Sequence, residues 1–477
     1  MSGRKLAAAA VETATVAGLT HTGEGIVRDN RAASDRAVSE GTPSGGEGTP
    51  SGGGKAVFVA GALPGESIKF RRTRRHRQHD EAELVEVLAP AAERVAPRCP
   101  HFGVCGGCAL QHLSPEAQLK AKQAELRDNL ERVGKVTPQI WLPALRGPVW
   151  GYRRRARLGA KFVIKKGKVL VGFRERLAPY IADVQHCDVL VPPVGDLISP
   201  LANMLMTLSI RERVPQIEVA VADDAVALVL RVLQTPAATD LERLREFRDT
   251  HGVRLYLQPA GLESIRELDS PREPLCYRLP KFKLELEFLP TDFIQINGAV
   301  NEALVSQALE MLELTSASEV LDLFCGIGNF TLPMARFAAR VVGVEGDAAL
   351  VARARHNAQH NHLENTEFHT ADLARLPADV AAAARSAPWL RKGYTHIVLD
   401  PPRAGAREVL ASVASLEPRR VLYISCHPGS LARDLGVLVN EHGFSLEAAG
   451  VLDMFPHTAH FESLALLSPG KRKARPA

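Results

Sequence analysis

The chain has 477 residues, with 59 Lys and Arg against 54 Asp and Glu and a formal charge of +5. Its length exceeds one ordinary core and predicts two or three domains. No run of about 18 uninterrupted apolar residues occurs, so no membrane span is expected. The start, MSGRKLAAAAVETATVAGL, lacks the dense apolar centre of a signal peptide, and a cytoplasmic protein is expected. Seven cysteines, an odd number, argue against a disulfide framework.

Residues 15–90 alternate apolar and polar positions in short bursts separated by Gly61, Pro64 and Gly65, the pattern of a small antiparallel barrel. Inside it, Asp29 to Lys55 is rich in Gly, Ser, Thr and Glu and almost free of large apolar residues. Such a segment cannot bury enough surface to order itself and reads as a floppy insertion. Lys69–Arg77 carries six cations and no acid, and Arg153, Arg154, Arg155 and Arg157 form a second cluster. Runs of this kind meet phosphate backbones or simply make a solvated basic face.

Cys99-x5-Cys105-Gly-Gly-Cys108 puts three thiols within ten residues, and Cys187 is the candidate fourth ligand. The set suits an iron–sulfur cluster or a structural zinc, and the single CxxC pair favours the cluster. Residues 114–133 have helical periodicity starting at Ser114-Pro115. Residues 150–290 hold strands at Lys168–Phe173, Gln216–Val221, Ala225–Val232, Val253–Leu257 and Lys283–Phe288 with one or two helices, a mixed α/β region.

From 297 onward strand and helix alternate regularly. Strands are expected at Glu319–Phe324, Val341–Glu345, Thr366–Thr370, His396–Asp400 and Arg420–Ser425, with a last pair near 444–453 and 461–467. That alternation argues for a parallel sheet covered on both faces, with an antiparallel strand at the end. Gly326 and Gly328 follow the first strand, where glycine lets a ligand approach the backbone. Thr331 replaces the third glycine of a dinucleotide motif, so a smaller nucleoside cofactor is favoured. Glu345 ends the next strand and can accept from ribose hydroxyls. Asp372 can reach an adenine amino group, and S-adenosylmethionine is the favoured ligand.

Cys426 stands between a buried strand and Pro428, where a helix can start and lower a thiol pKa. Its bland alternative is a small core residue. A methyl donor beside a thiol fits methylation of uracil carbon 5. A thiolate adds to carbon 6, the enolate takes the methyl group, and a base removes the carbon-5 proton. Glu462 is the candidate base. Cys276 and Cys325 read as ordinary core residues.

Together these residues resemble the bacterial RNA 5-methyluridine methyltransferases over roughly residues 15–470. The resemblance implies a Rossmann-like class I methyltransferase domain at 291–470. It also implies an N-terminal TRAM/OB-like RNA-binding β-barrel at 10–90, with a disordered insertion at about 30–54. Between them it implies a mixed α/β central domain at 91–290 carrying a 4Fe-4S cluster, with the helical segment 110–145 a candidate to pack on the catalytic domain. Cys99, Cys105, Cys108 and Cys187 match the family's cluster ligands. Phe293, Gln295 and Asn297 match its Phe-x-Gln-x-Asn signature, which implies that Gln295 touches the donor. Phe324, Asn329, Glu345, Asp372 and Asp400 fall on other S-adenosylmethionine-binding positions, Cys426 on the nucleophile and Glu462 on the base. The transfer-RNA branch lacks the cluster cysteines and a second ribosomal branch lacks the barrel. The resemblance is therefore to the larger 23S ribosomal RNA branch, whose implied target is uracil 1939. A monomer acting on 23S rRNA, with no membrane partner, is expected. The alternatives are another rRNA or tRNA uridine, an amino-group methyltransferase using the Asp400-Pro401-Pro402 corner, or a non-catalytic RNA-binding assembly factor. The insertion after Asp29 is longer than expected for such a barrel.

Overall fold

The structure is a computed structural model that describes residues 4–5, 10–28, 55–176, 178–269, 273–375, 387 and 389–470. The insertion expected at 30–54 lies outside them. The chain divides into two compact units, residues 1–121 with 457–459, and residues 122–456 with 460–477. Among the described residues no helix is long and apolar enough to cross a membrane.

The first unit holds a seven-stranded sheet whose long members are Ser67–Arg75 and His79–Ala89. Register shifts at Ser67/Ile68, Lys69/Phe70 and Arg72/Arg74 bend this hairpin, as bulges do. The sheet curls over a small core of Val16, Val27, Val57, Val59, Ile68 and Phe70. Its pairings follow an open path among the described residues, a curled half-barrel consistent with a TRAM or OB-like module. One pair departs from the antiparallel expectation, because Ala56–Ala60 runs parallel to His79–Ala89. The hairpin partner of Ser67–Arg75 slots between it and Ala56–Ala60, so the inserted strand must run the same way as the latter.

The basic run is largely neutralised within this sheet. Lys69 meets Glu86 at 2.9 Å, Arg71 meets Glu83 at 2.8 Å, and Arg74 meets Glu81 at 3.7 Å. Arg72 points inward, 8% exposed, and bonds Glu12 and Asp80. Burial opposes ionisation of Asp80, but Lys55 and Arg72 hold its carboxyl below the usual carboxylate range. Arg75 and Arg77 remain exposed at the hairpin end.

The second unit opens its sheets with a six-stranded one, in the order Lys168–Gly172, Arg155–Val163, Gln216–Val221, Val226–Arg231, Arg254–Gln258, Arg266–Glu267. Helices Ile198–Thr207 and Ala238–His251 accompany it. The arginine cluster is again engaged internally. Arg157 pairs with Glu218 at 2.5 Å, Arg154 lies 3.7 Å from Asp223, and Arg155 bonds the carbonyl of Pro290. A two-stranded hairpin, Leu275–Leu279 with Leu284–Phe288, follows.

The large sheet is built from β1 (Glu319–Leu323), β2 (Arg340–Glu345), β3 (Thr366–Thr370), β4 (His396–Leu399), β5 (Arg420–Ser425), β6 (Phe444–Leu452) and β7 (Glu462–Pro469). Their order is β3-β2-β1-β4-β5-β7-β6, extended by the short strand Ile140–Trp141. The strands β1 to β5 are parallel, and β7 is antiparallel to both neighbours. This is the class I Rossmann-like methyltransferase architecture. Valine- and leucine-rich strands buried on both faces produce it. Switching direction at β7 brings that strand's N-terminal end to the C-terminal ends of β1, β4 and β5, where ligands bind in such sheets.

Removing Arg72 takes one of two cations from the buried Asp80, leaving Lys55 at 2.6 Å, and withdraws the guanidinium from Glu12. Arg72→Met is expected to destabilise the protein by about 2–3 kcal/mol, less than a fully stranded buried charge costs, read as a shift in the urea midpoint. An unchanged midpoint would contradict the buried ion-pair account.

Candidate active site

The donor end is shaped by backbone that bends back at the end of β1. Phe324 has φ +67°, Gly326 +55° and Gly328 +98°. A Cβ at Gly328 would come within 2.9 Å of Leu332. Glu345, at the end of β2, is tied in place by three amides. Its Oε2 accepts from Gly326 N–H at 3.1 Å, and its Oε1 from Gly346 and Asp347 at 2.7 and 3.2 Å. Asn329 is fixed by Tyr277, whose hydroxyl donates to its Oδ1 at 2.9 Å, and by a reciprocal pair of bonds with Asn301. Asp372 sits just after β3, more than half exposed, with Oδ1 accepting from Ala374 N–H. Gln295 is half-buried and Phe293 is 68% exposed. Asn297 caps the helix Gly298–Leu312, its side chain accepting from Val300 N–H.

Two carboxylates here were not singled out by the sequence reading as a pair. Asp322 is fully buried in β1, with Thr331 donating to its Oδ2 at 2.5 Å and Oδ1 unbonded. An acid inside Val320-Leu321-Asp322-Leu323 was the available signal, since buried acids are rare without partners. Burial, with Asp400 and Glu345 nearby, pushes its carboxyl up to about 7, Thr331 opposing. Burial and Glu345 likewise push Asp400 up to about 7.

The reacting end follows from strand register. In the antiparallel pair of β5 and β7, Ile424 faces Leu464 and Ser425 faces Ser463. The ladder ends there, and just beyond it Cys426 and Glu462 are close enough for the carboxyl to act on the thiol. In the parallel pair of β4 and β5, Leu399 faces Tyr423, so Asp400-Pro401-Pro402 runs alongside Ile424, Ser425 and Cys426. Tyr423 and Ala406 N–H both donate to Asp434, at 2.6 and 2.8 Å, and pin the loop that carries Arg403. Arg403 bonds the His460 ring at 3.1 Å.

The expected lowering of the Cys426 pKa is overturned. Burial, then Glu462 and Asp400, push the thiol up to about 11, and Arg403 offsets only part of this. The helix Pro428–Asn440 does not compensate, because Pro428 has no N–H and the His427 ring caps Ser430 N–H. Glu462 is held well above the carboxylate range, by burial first and Asp400 second, with Arg403 opposing. The thiol and the carboxyl are thus both shifted toward their protonated forms.

The seven cysteines form no disulfide, and Cys276 and Cys325 are buried as expected of core residues. Cys99, Cys105 and Cys108 are half-buried in the turns of the first unit, where Gly107 N–H donates to Cys105 Sγ at 3.4 Å. Cys187 lies in the second unit, its amide donating to Gly195. Elsewhere, His76, His79 and Glu81 bring donor atoms within 4.8 Å of one another. The two imidazoles stack at 4.6 Å with planes 18° apart. In-plane lone pairs of near-parallel rings do not converge on one ion, so this trio does not suit a metal.

Among known families, that of the tRNA (Uracil-5-)-methyltransferases matches residues 278–469. The chain is 51% identical over 413 residues to the 23S rRNA (uracil(1939)-C(5))-methyltransferase RlmD of Xanthomonas campestris pv. campestris, covering 87% of this chain and 91% of that one. It is 50% identical to the protein of the same name in Alkalilimnicola ehrlichii, covering 86% and 91%. Among solved structures, Pyrococcus abyssi tRNA (uracil-54, C5)-methyltransferase in complex with S-adenosyl-L-homocysteine superposes with a TM-score of 0.68. That likeness covers 96% of this chain and 100% of that one at 20% identity, a likeness of fold.

The raised thiol pKa predicts slow alkylation of Cys426 by iodoacetamide at neutral pH in donor-free enzyme, accelerating as pH climbs toward about 11. Removing a neighbouring negative charge with Asp400→Asn lowers the thiol pKa and speeds the reaction at pH 8 severalfold. Peptide mapping by mass spectrometry reads the Cys426 modification. Fast alkylation at pH 7, insensitive to Asp400→Asn, would contradict the electrostatics.

Proposed function

The chain belongs to the bacterial 23S rRNA (uracil(1939)-C(5))-methyltransferase family, and from this we propose how its own residues carry out the family's reaction. The enzyme transfers a methyl group from S-adenosylmethionine to carbon 5 of uracil 1939 in 23S ribosomal RNA. The observation that supports the residue assignment is the β5–β7 pairing up to Ser425 and Ser463, whose next residues are a thiol and a carboxyl at the sheet's ligand-binding edge.

We assign Glu345 to the donor's ribose and Asp372 to its adenine, with Gln295, Phe324, Asn329 and Asp400 completing the pocket. Among the described residues the carboxyls of Asp322, Asp400 and Glu345 crowd one another, and positive charge brought among them would be favoured. The donor's sulfonium and ammonium groups supply that charge, and so favour ionised carboxylates once it is bound. The target uridine enters flipped from its stack, since carbon 6 is shielded inside a helix. Cys426 Sγ bonds carbon 6 as its proton passes to a carboxylate of the group. The enolate carbon 5 takes the methyl group, and the donor leaves as the thioether. Glu462 then removes the carbon-5 proton, the carbon–sulfur bond breaks, and the thiolate is restored.

Cys99, Cys105, Cys108 and Cys187 are our assignment for a 4Fe-4S cluster. The thiol-only donor set fits it, and an N–H aimed at Cys105 Sγ is the kind of bond that supports a charged sulfur. The group when bound supplies structural cross-linking, and no step of methyl transfer passes through it. We read residues 10–90, 91–290 and 291–470 as RNA-binding, cluster-bearing and catalytic domains of a cytoplasmic monomer.

Cys426→Ala is expected to abolish both methylation and covalent RNA adduct, measured with a tritium-labelled rRNA fragment. Glu462→Gln is expected to form adduct that releases slowly. Full turnover by either variant overturns its role. For RNA binding, the exposed Arg75 and Arg77 matter more than the cross-paired Lys69 and Arg71. Each of Arg75→Ala and Arg77→Ala should flatten the log K against log[salt] slope by about 1. Equal effects from Lys69→Ala and Arg71→Ala would contradict this.

A further inference from the structure

We propose that the helix Pro115–Asn129 is a positioning element for adduct release, through Gln118 and Lys122. This helix grips the connection that delivers the base Glu462 into the site. The inference rests on the reading of Glu462 as the base.

Residues 453–461 join the end of β6 to Glu462 at the start of β7. A connection of this kind sets where Glu462 emerges, and it is unusually well held. Lys122, 2% exposed, donates to Asp453 Oδ1 at 2.6 Å and to the Phe455 carbonyl at 3.1 Å. Tyr152 Oη donates to the Pro456 carbonyl at 2.9 Å. Gln118, 1% exposed, accepts from His457 N–H at 2.8 Å while its amide donates to the carbonyls of Leu110 and Leu113. The His457 carbonyl accepts from both Ala109 and Leu110, each at 2.9 Å.

Gln118 and Lys122 are four residues apart, so they stand on one face of the helix. A buried lysine and a buried glutamine on a helix are costly unless their partners are fixed. Here Lys122 places both its bonds on the connection, and Gln118 links it through its side-chain oxygen to the Leu110–Leu113 turn, which its amide holds. His457 also holds φ +64°, a conformation that a non-glycine residue keeps only when its surroundings impose it. Both observations mark a segment whose path is over-determined just before the carboxylate that must meet carbon 5. The donor residues at β1 and β2 have no bond to this helix among those described, so loosening it should affect proton removal and spare donor affinity.

The test uses the full-length protein and an rRNA transcript tritiated at uridine carbon 5. The double variant Lys122→Met/Asp453→Leu removes the ion pair without stranding a charge. Gln118→Leu removes the other tether independently, so the result does not hang on one variant folding. Tritium release, SDS-stable adduct and donor Kd are measured for both, beside Glu462→Gln. Misplacing a catalytic group by about 1 Å can cost a hundredfold in rate, so a fall of tenfold or more in tritium release is expected. Donor Kd should stay within about twofold, and the steady-state adduct fraction should rise toward that of Glu462→Gln. Wild-type turnover in a folded variant overturns the proposal. So does a slower rate without adduct build-up when Glu462→Gln does build up adduct, and in that case the base assignment survives. Wild-type turnover by Glu462→Gln removes the base assignment and the proposal with it.

Discussion

One register governs the site. Because Ser425 faces Ser463 across an antiparallel pair, Cys426 and Glu462 leave that pair at the same end, and the carboxyl acts on the thiol. A slip of one residue would turn every side chain of β7 to the other face. Leu464, Ala465, Leu466 and Leu467 are buried on both faces, so a slip would exchange leucine for alanine against close-packed neighbours rather than expose an apolar face. Side-chain volumes along the last strand therefore hold the register that brings its tip to the site. The parallel pairing of β4 with β5 adds the Asp400-Pro401-Pro402 corner on the other side.

That arrangement gathers negative charge where burial makes charge expensive. Asp322, Asp400 and Glu462 are all pushed toward their protonated forms, and Cys426 is kept as a thiol. A cationic donor changes this in the direction the reaction needs, so the same electrostatics that hold the thiol inactive favour the sulfonium over its neutral product. The N-terminal sheet shows the converse. There the cations of one strand are matched by acids of the next, and the ladder serves the hairpin before it serves any partner.

Much of the catalytic sheet was legible in the sequence. Arg420–Ser425 falls where its apolar run puts it, because a parallel strand buried on both faces leaves an unmistakable pattern, and the half-exposed edge strand Thr366–Thr370 falls where the strand–helix alternation puts it. What periodicity cannot carry is pairing between distant segments. The pairing of Cys426 with Glu462 follows from the reaction's need for a thiol and a base in one pocket and from the resemblance, since periodicity local to either residue does not announce it. The basic run leaves two readings open for the same reason. Glu86 and Glu83, which meet Lys69 and Arg71, arrive only on the following strand. The thiol pKa was misjudged because a helix start was visible nearby, whereas the carboxylates that outweigh it lie on two other strands. Gln118 and Lys122 gave no signal at all, being ordinary residues of a polar helix until their burial is seen.

The central claim is that one sulfur and one carboxyl act on the same uracil ring. The most direct measurement replaces the target uridine with 5-fluorouridine in an rRNA fragment. Carbon–fluorine bonds do not yield to a base, so the reaction should stop after methyl transfer with RNA still attached. Tandem mass spectrometry of the trapped species should find a methylated fluoropyrimidine bonded through carbon 6 to Cys426. A stable complex joined through any other residue, or methylation with no covalent species, would contradict the account.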